Sequence, residues 1–248
     1  METSWKYINI DRGIYSRVVF LILIWFFVSE KTLALELYGA EILFGKSIEG
    51  GLITGKTKPN YSIAMNGEPI EISKNGIFAF GFHRESNDPI EITIKSPAGF
   101  FSKTITIPEQ REYEIQRIDG LEPTMVTPPE EVVARIKEDS EAVKIARQVQ
   151  APLGDFWQGF DWPVLGRITG VYGSQRILNG KARQPHYGID IAGKKGDPIR
   201  SPASGTVTLV KDLYFSGWTV FIAHGLGVNS AFLHLESISV KPGMAIER

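Results

Sequence analysis

Gln184-Pro185-His186-Tyr187-Gly188-Ile189-Asp190-Ile191-Ala192 sets a histidine four residues ahead of an aspartate, with a glycine between them. Neutral imidazole and carboxylate are both zinc ligands. On a straight strand, residues four apart stand about 13 Å apart at ~3.3 Å per residue, too far to share one ion. A helical turn would bring them together, but Ile189-Asp190-Ile191 reads as extended. A shared ion therefore requires a bend, and Gly188 is where the backbone accepts one. From spacing alone, a metal pair and two polar residues in a turn both stay open.

The surroundings of the stretch are rich in glycine from Trp157 onward. Apolar strand candidates lie between the glycines: 188–191, 205–210, 219–223 and 230–235. This predicts an all-β unit over residues 157–248. Three of the four histidines, His186, His224 and His234, fall inside it.

The motifs come in a fixed order. Gly166-Arg-Ile-Thr-Gly-Val-Tyr-Gly173 precedes the His186–Asp190 stretch. Gly196-Asp-Pro-Ile-Arg-Ser-Pro-Ala-Ser-Gly-Thr-Val207 follows it, then Val220-Phe-Ile-Ala-His-Gly225 and Phe232-Leu-His-Leu235. This succession resembles the lysostaphin-type (LytM-type) zinc metallopeptidases of the bacterial cell wall, over about ninety residues. The resemblance implies Zn2+ as cofactor, His186 and Asp190 as two of its ligands, and His234 as a catalytic residue that is not a ligand. An imidazole in that place moves a proton or donates a hydrogen bond to a developing oxyanion. His224, beside Gly225 at a strand end, reads as structural. The family's further motif, His-x-His, carries the third ligand. Leu235–Arg248 holds neither His nor Asp, and Glu236 and Glu247 are its carboxylates. The expectation is a C-terminally incomplete domain in which residues 240–246 begin a hairpin that is never closed. Glu236 as substitute ligand has no support in the family pattern.

Upstream, residues 35–118 carry about seven short strand patterns. Asn66-Gly67 and Asn75-Gly76 supply tight-turn signals, and Ile90–Lys95 alternates strictly. This predicts a small β-sandwich. His83, beside Arg84 and Glu85, reads as a surface residue. Residues 119–156 read as linker and helix. The helix is expected to open with Thr127 as cap, Pro128 in its first turn and Glu130 closing a Thr-x-x-Glu box. Val132, Val133, Ile136, Val143, Ala146 and Val149 form its apolar stripe, which packs on one domain as a linker helix. The predicted fold class is mainly β: small β-sandwich, linker helix, then an incomplete antiparallel sheet of the lysostaphin/LytM type.

Residues 1–34 read as a signal peptide. Lys6, Arg12 and Arg17 precede an apolar run of eleven residues, Val18–Val28, and Thr32-Leu33-Ala34 offers a cleavage site. An uncleaved N-terminal anchor is the alternative, and the only route to membrane attachment. The chain has no cysteine among its 248 residues. That excludes disulfides, a thiolate nucleophile, Cys-ligated zinc and a lipid anchor at cysteine. With 27 Lys and Arg against 28 Asp and Glu, no basic excess points to nucleic acid.

Function follows from the resemblance in two forms. The first is an exported zinc endopeptidase of the periplasm or cell envelope, cleaving the peptide stems that cross-link peptidoglycan, impaired in this chain. The second is a non-catalytic LytM-type module that binds the wall or activates another hydrolase, with a cell-wall amidase as partner. A weaker third form is a wall- or carbohydrate-binding protein led by the sandwich.

Overall fold

The computed structural model describes residues 35–122 and 127–248, so the proposed signal segment lies outside the described residues. The fold is mainly β, with antiparallel sheets and one α-helix among the described residues.

Residues 40–106 form two sheets. One contains β1 (Ala40–Phe44), β2 (Leu52–Thr57) and β5 (Ile77–Gly81), in the order β1-β2-β5. The other contains β3 (Ser62–Met65), β4 (Glu68–Ile70), β6 (Ile90–Lys95) and β7 (Phe101–Thr106), in the order β4-β3-β6-β7. Alternation decides which side chains turn inward. Ile90, Ile92 and Ile94 are buried while Glu91, Thr93 and Lys95 are not. They meet Ile53, Ile63, Phe78, Phe80 and Phe82 in one apolar cluster drawn from both sheets. Asn66 and Gly67 both have positive φ, 50° and 85°, as a two-residue hairpin between β3 and β4 requires.

β8 (Ile115–Ile118) then leaves this unit and pairs in parallel with β10 (Gln175–Leu178). β10 continues through a turn into β11 (Lys181–Ala182). The boundary drawn at residue 118 from the sequence therefore falls at the end of a strand whose partner lies far along the chain.

The helix, α1 (Glu130–Gln148), starts later than the sequence reading placed it. Its N-cap is Pro129, with φ −58° and ψ 149°, and no side chain caps it. Two prolines in succession explain the correction. A residue before proline is pushed out of the helical region, so Pro128 cannot be helical and Thr127 is too far out to cap. Val132, Ile136, Ala142, Val143 and Ala146 are partly or fully buried, whereas Val133 and Val149 are exposed. The apolar stripe is thus narrower than expected and carries an aspartate, Asp139, in its middle.

α1 packs on the C-terminal sheet, which consists of β13 (Gly205–Leu213), β14 (Gly217–Gly225), β15 (Val228–Leu235) and β16 (Ala245–Ile246), in the order β15-β14-β13-β16. Residues 240–246 do not form an open hairpin. β16 pairs antiparallel with Gly205 and Thr206, and Val207 exchanges two further backbone bonds with Gly243 and Met244. The apolar side chains Val240, Met244 and Ile246 gain burial against Val207 this way, which is what draws the segment back to the sheet.

Asp139 fastens the helix. Its Oδ2 accepts the Tyr214 N–H at 2.8 Å, and Lys211 Nζ lies 3.1 Å from Oδ1. Burial pushes this carboxyl up, but the Tyr214 N–H, Lys211 and Arg135 outweigh it and hold it below the usual aspartate range. A depressed carboxyl contributes stability above its unfolded-state pKa, near 3.9, and loses it as pH falls through the folded value. Asp139→Asn is expected to cost roughly 2 kcal/mol at pH 7, since a charged acceptor is lost from buried donors. Denaturant unfolding of both proteins at pH 7 and pH 3 checks this; the gap between them should close on acidification.

Candidate metal centre

β9 (Ile168–Gly170) and β12 (Asp190–Ile191) form a two-stranded ladder that places Asp190 opposite Gly170. The strand expected over residues 188–191 is shorter: the chain bends at Gly188, and pairing starts only at Asp190. The bend folds the histidine back onto the aspartate. His186 Nε2 lies 3.2 Å from Asp190 Oδ1.

Gly170 makes this position available. A Cβ at Gly170 would lie 2.2 Å from Asp190 Oδ2, so the carboxylate rests on bare backbone. Nothing local in the sequence marks this glycine, because its role depends on Asp190, its partner across the ladder.

His186 is held by the turn Val171–Ser174. Gly173 N–H donates to the His186 carbonyl at 2.7 Å, and His186 N–H donates to the Ser174 carbonyl at 2.8 Å. The ring's Nδ1 lies 3.1 Å from the Val171 carbonyl. A carbonyl only accepts, so this contact calls for a proton on Nδ1, and Nε2 is the ring nitrogen turned toward Asp190, where a neutral ring can offer its lone pair. Gly173 has φ 85°, the conformation that the third position of such a turn demands.

Around the pair the surface is half-open. The His186 and Asp190 side chains are 33% and 61% exposed, so a small ion and its water would reach both. Tyr172 and Tyr187 meet at a tilt of 53° with ring centroids 6.2 Å apart. Burial first, then Tyr187, pushes the Tyr172 hydroxyl above its ordinary value, so it stays a neutral phenol.

His234 lines the same broad groove as His186 and Asp190. It sits in an irregular stretch of β15, where Leu235 pairs with Trp218 and Phe232 with Val220. Its φ is 57°, unusual for a residue other than glycine, and its N–H donates to Ser216 at 2.8 Å. A bulge of this kind re-aims a side chain from the line of its strand. Among the described residues no third His, Asp or Glu joins His186 and Asp190 closely enough to hold a metal ion with them. Glu236 is paired with Lys195 Nζ at 2.5 Å.

His224 is a core residue. It is fully buried, with Nδ1 2.9 Å from the Ser204 carbonyl and Nε2 2.9 Å from Ser230 Oγ. Burial lowers its pKa, so the ring is neutral, donating from Nδ1 and accepting at Nε2. His83 is exposed, as read from the sequence.

The donor set suits zinc. With Zn–N and Zn–O of about 2.0–2.2 Å in a tetrahedral site, two ligand atoms stand roughly 3.3–3.6 Å apart, and the pair, at 3.2 Å, lies just below that spacing's short end.

Residues 184–248, beginning at the stretch that raised the question, match the model of peptidase family M23. This part of the chain is similar to the LytM-like M23 peptidases. A lipoprotein NlpD/LppB homolog from Pseudomonas aeruginosa is 32% identical over 90 residues, covering 36% of this chain and 28% of that one. The peptidoglycan DD-endopeptidase ShyA of Vibrio cholerae is 34% identical over 64 residues, covering 26% and 15%. The matched stretches thus span under a third of either relative. The crystal structure of an M23 peptidase candidate from Pseudomonas aeruginosa superposes with a TM-score of 0.62 at 25% identity, covering 83% of this chain and 81% of that one. That coverage reaches well beyond the LytM-like region into the leading β unit.

Gly170 offers a test of the carboxylate's seat. Gly170→Ala is expected to push the Asp190 side chain off its position while leaving the sheets intact, because the clash is with a flexible side-chain end. Circular dichroism should be unchanged, while the NMR resonances of the His186 ring and the Asp190 carboxyl should shift as the 3.2 Å contact is lost.

Proposed function

We propose that this protein acts on the bacterial cell wall as an exported metallopeptidase of the envelope, with the peptide stems of peptidoglycan as substrate. The observation that carries this is the 3.2 Å approach of His186 Nε2 to Asp190 Oδ1 inside the region matched to M23. The relative named as a peptidoglycan DD-endopeptidase supports the substrate class.

In this reading His186 and Asp190 hold Zn2+, and His234 is the catalytic histidine. Bound there, zinc supplies a Lewis acid for the scissile carbonyl and acidifies the attacking water. The protein's own residues do the rest. Val171 fixes the His186 tautomer so that the Nε2 lone pair is free. Gly170 leaves space for the carboxylate. His234, which lines the same groove, moves a proton or donates to the oxyanion. Exposed Tyr187 and Phe215 on the groove give a peptide stem apolar surface to lie on.

Two protein ligands hold zinc less firmly than the three of a usual catalytic site. Weak zinc binding and slow hydrolysis are the outcome expected when these 248 residues are measured alone. The second reading is a non-catalytic module that holds the wall or activates a partner hydrolase such as an amidase.

Metal analysis after dialysis, combined with muropeptide release from purified sacculi, separates the two. Weak, substoichiometric zinc with slow release that His186→Ala abolishes is the expected result. Release unchanged in His186→Ala would remove the ligand assignment. No release alone, but faster release when an amidase is added, would favour the second reading.

A further inference from the structure

The turn that cradles His186 is gripped from its other side by the leading β unit. Arg84 is 7% exposed although it carries a charge, and such side chains are buried only when paired. Its Nε donates to the Gly173 carbonyl at 2.8 Å. Its guanidinium lies over the Tyr113 ring, 4.1 Å from the centroid. Nη1 meets Glu85 Oε1 at 2.6 Å, but Glu85 is 76% exposed, so that pair contributes little.

Tyr113 closes the arrangement. Its hydroxyl donates to the Arg84 carbonyl at 3.0 Å, and its ring occupies the space beside Gly173, where a Cβ would come within 2.0 Å. Burial first, then Glu49, raises its pKa to about 12, so the hydroxyl keeps its proton.

The peptide unit whose carbonyl Arg84 holds also carries the Ser174 N–H. That N–H points at the Val171 carbonyl, 3.4 Å away, which is the carbonyl that meets His186 Nδ1. Holding that peptide plane therefore steadies the turn whose Val171 and Ser174 carbonyls and Gly173 N–H meet the His186 ring and backbone. A plain surface ion pair would need none of this. A guanidinium serves because its planar fork, charged at all ordinary pH, reaches a carbonyl while stacking on an aromatic ring.

We propose that Arg84 is a positioning residue for His186, acting through the Val171–Ser174 turn. Only its consequence for metal affinity rests on the ligand reading given above; its effect on the turn does not.

The test uses the full-length chain and four variants: Arg84→Met, which loses the donor; Arg84→Lys, which keeps a donor and the charge; Glu85→Gln; and His186→Ala. In metal-free protein, amide exchange by NMR reads the turn. Arg84→Met should speed exchange of the Gly173 and His186 amides about tenfold, with β6 amides at wild-type rates, since local opening is separable from global unfolding. Arg84→Lys should recover part of the protection, and Glu85→Gln all of it. Unchanged exchange at those two amides, or equal acceleration everywhere, overturns the proposal. Zinc titration by calorimetry then reads the consequence. Arg84→Met should weaken zinc about tenfold, the usual cost of losing a residue that orients a ligand. If His186→Ala leaves zinc binding untouched, the ligand reading falls while the exchange data still judge Arg84. If His186→Ala removes zinc binding and Arg84→Met alters neither readout, the positioning role falls alone. Should Arg84→Met fail to fold, Arg84→Lys carries the same measurements, with changes in the same direction but smaller.

Discussion

His186 rests on main-chain groups. The carbonyls of Val171 and Ser174 and the N–H of Gly173 contact its ring and both of its own backbone polar groups. Backbone dipoles in a tight turn have little freedom once the turn's ends are paired, so they aim a ring more firmly than a mobile side chain would. The turn's ends are paired: Gly170 lies in the ladder with Asp190, and Gln175 opens β10. The geometry of the His–Asp pair is thus inherited from one four-residue turn and the strands on either side of it.

The C-terminal sheet supplies the rigid backing. Val207, Val220 and Ile222 pack beneath it, and His224 fills the junction with the segment around Phe160 through two satisfied ring nitrogens. A buried imidazole with both nitrogens matched costs little to keep and much to replace. The same segment is tied to the leading unit where Thr54 Oγ1 donates to the Trp157 carbonyl at 3.2 Å, and to the sheet where Gly154 N–H donates to the His224 carbonyl at 2.7 Å. Two polar residues that look unrelated in sequence, Thr54 and His224, therefore hold the same short stretch from opposite sides.

Local patterning made the strands readable. Ile90–Lys95 alternates, Asn66-Gly67 turns, and both are found where the pattern puts them. The His186–Asp190 pair was readable once its glycine-rich neighbours were taken together, since spacing alone left a plain turn open. The helix start was misjudged because a capping pattern competed with two successive prolines, and the backbone restriction prevailed over the side-chain bond. Gly170 and Arg84 were missed for a different reason: each matters through a residue distant in sequence. Arg84 did leave a trace. It continues the two-residue period of Phe78, Phe80 and Phe82, all buried, three residues past the end of β5. An inward-facing charge at such a step calls for a partner, and no window of sequence contains Gly173 beside it.

The parallel pairing of β8 with β10 also bears on how the molecule assembles. Ile115 and Gln175 are partners sixty positions apart, with α1 inside the loop they close. Closing it costs about 2 kcal/mol more chain entropy than a loop one tenth as long. The sheets of residues 40–106 need no such closure, since their partners lie within that interval. During synthesis the leading unit can therefore condense while the groove-forming half is still being made. The grip on the His186 turn forms later, when β10 arrives to meet a surface already built.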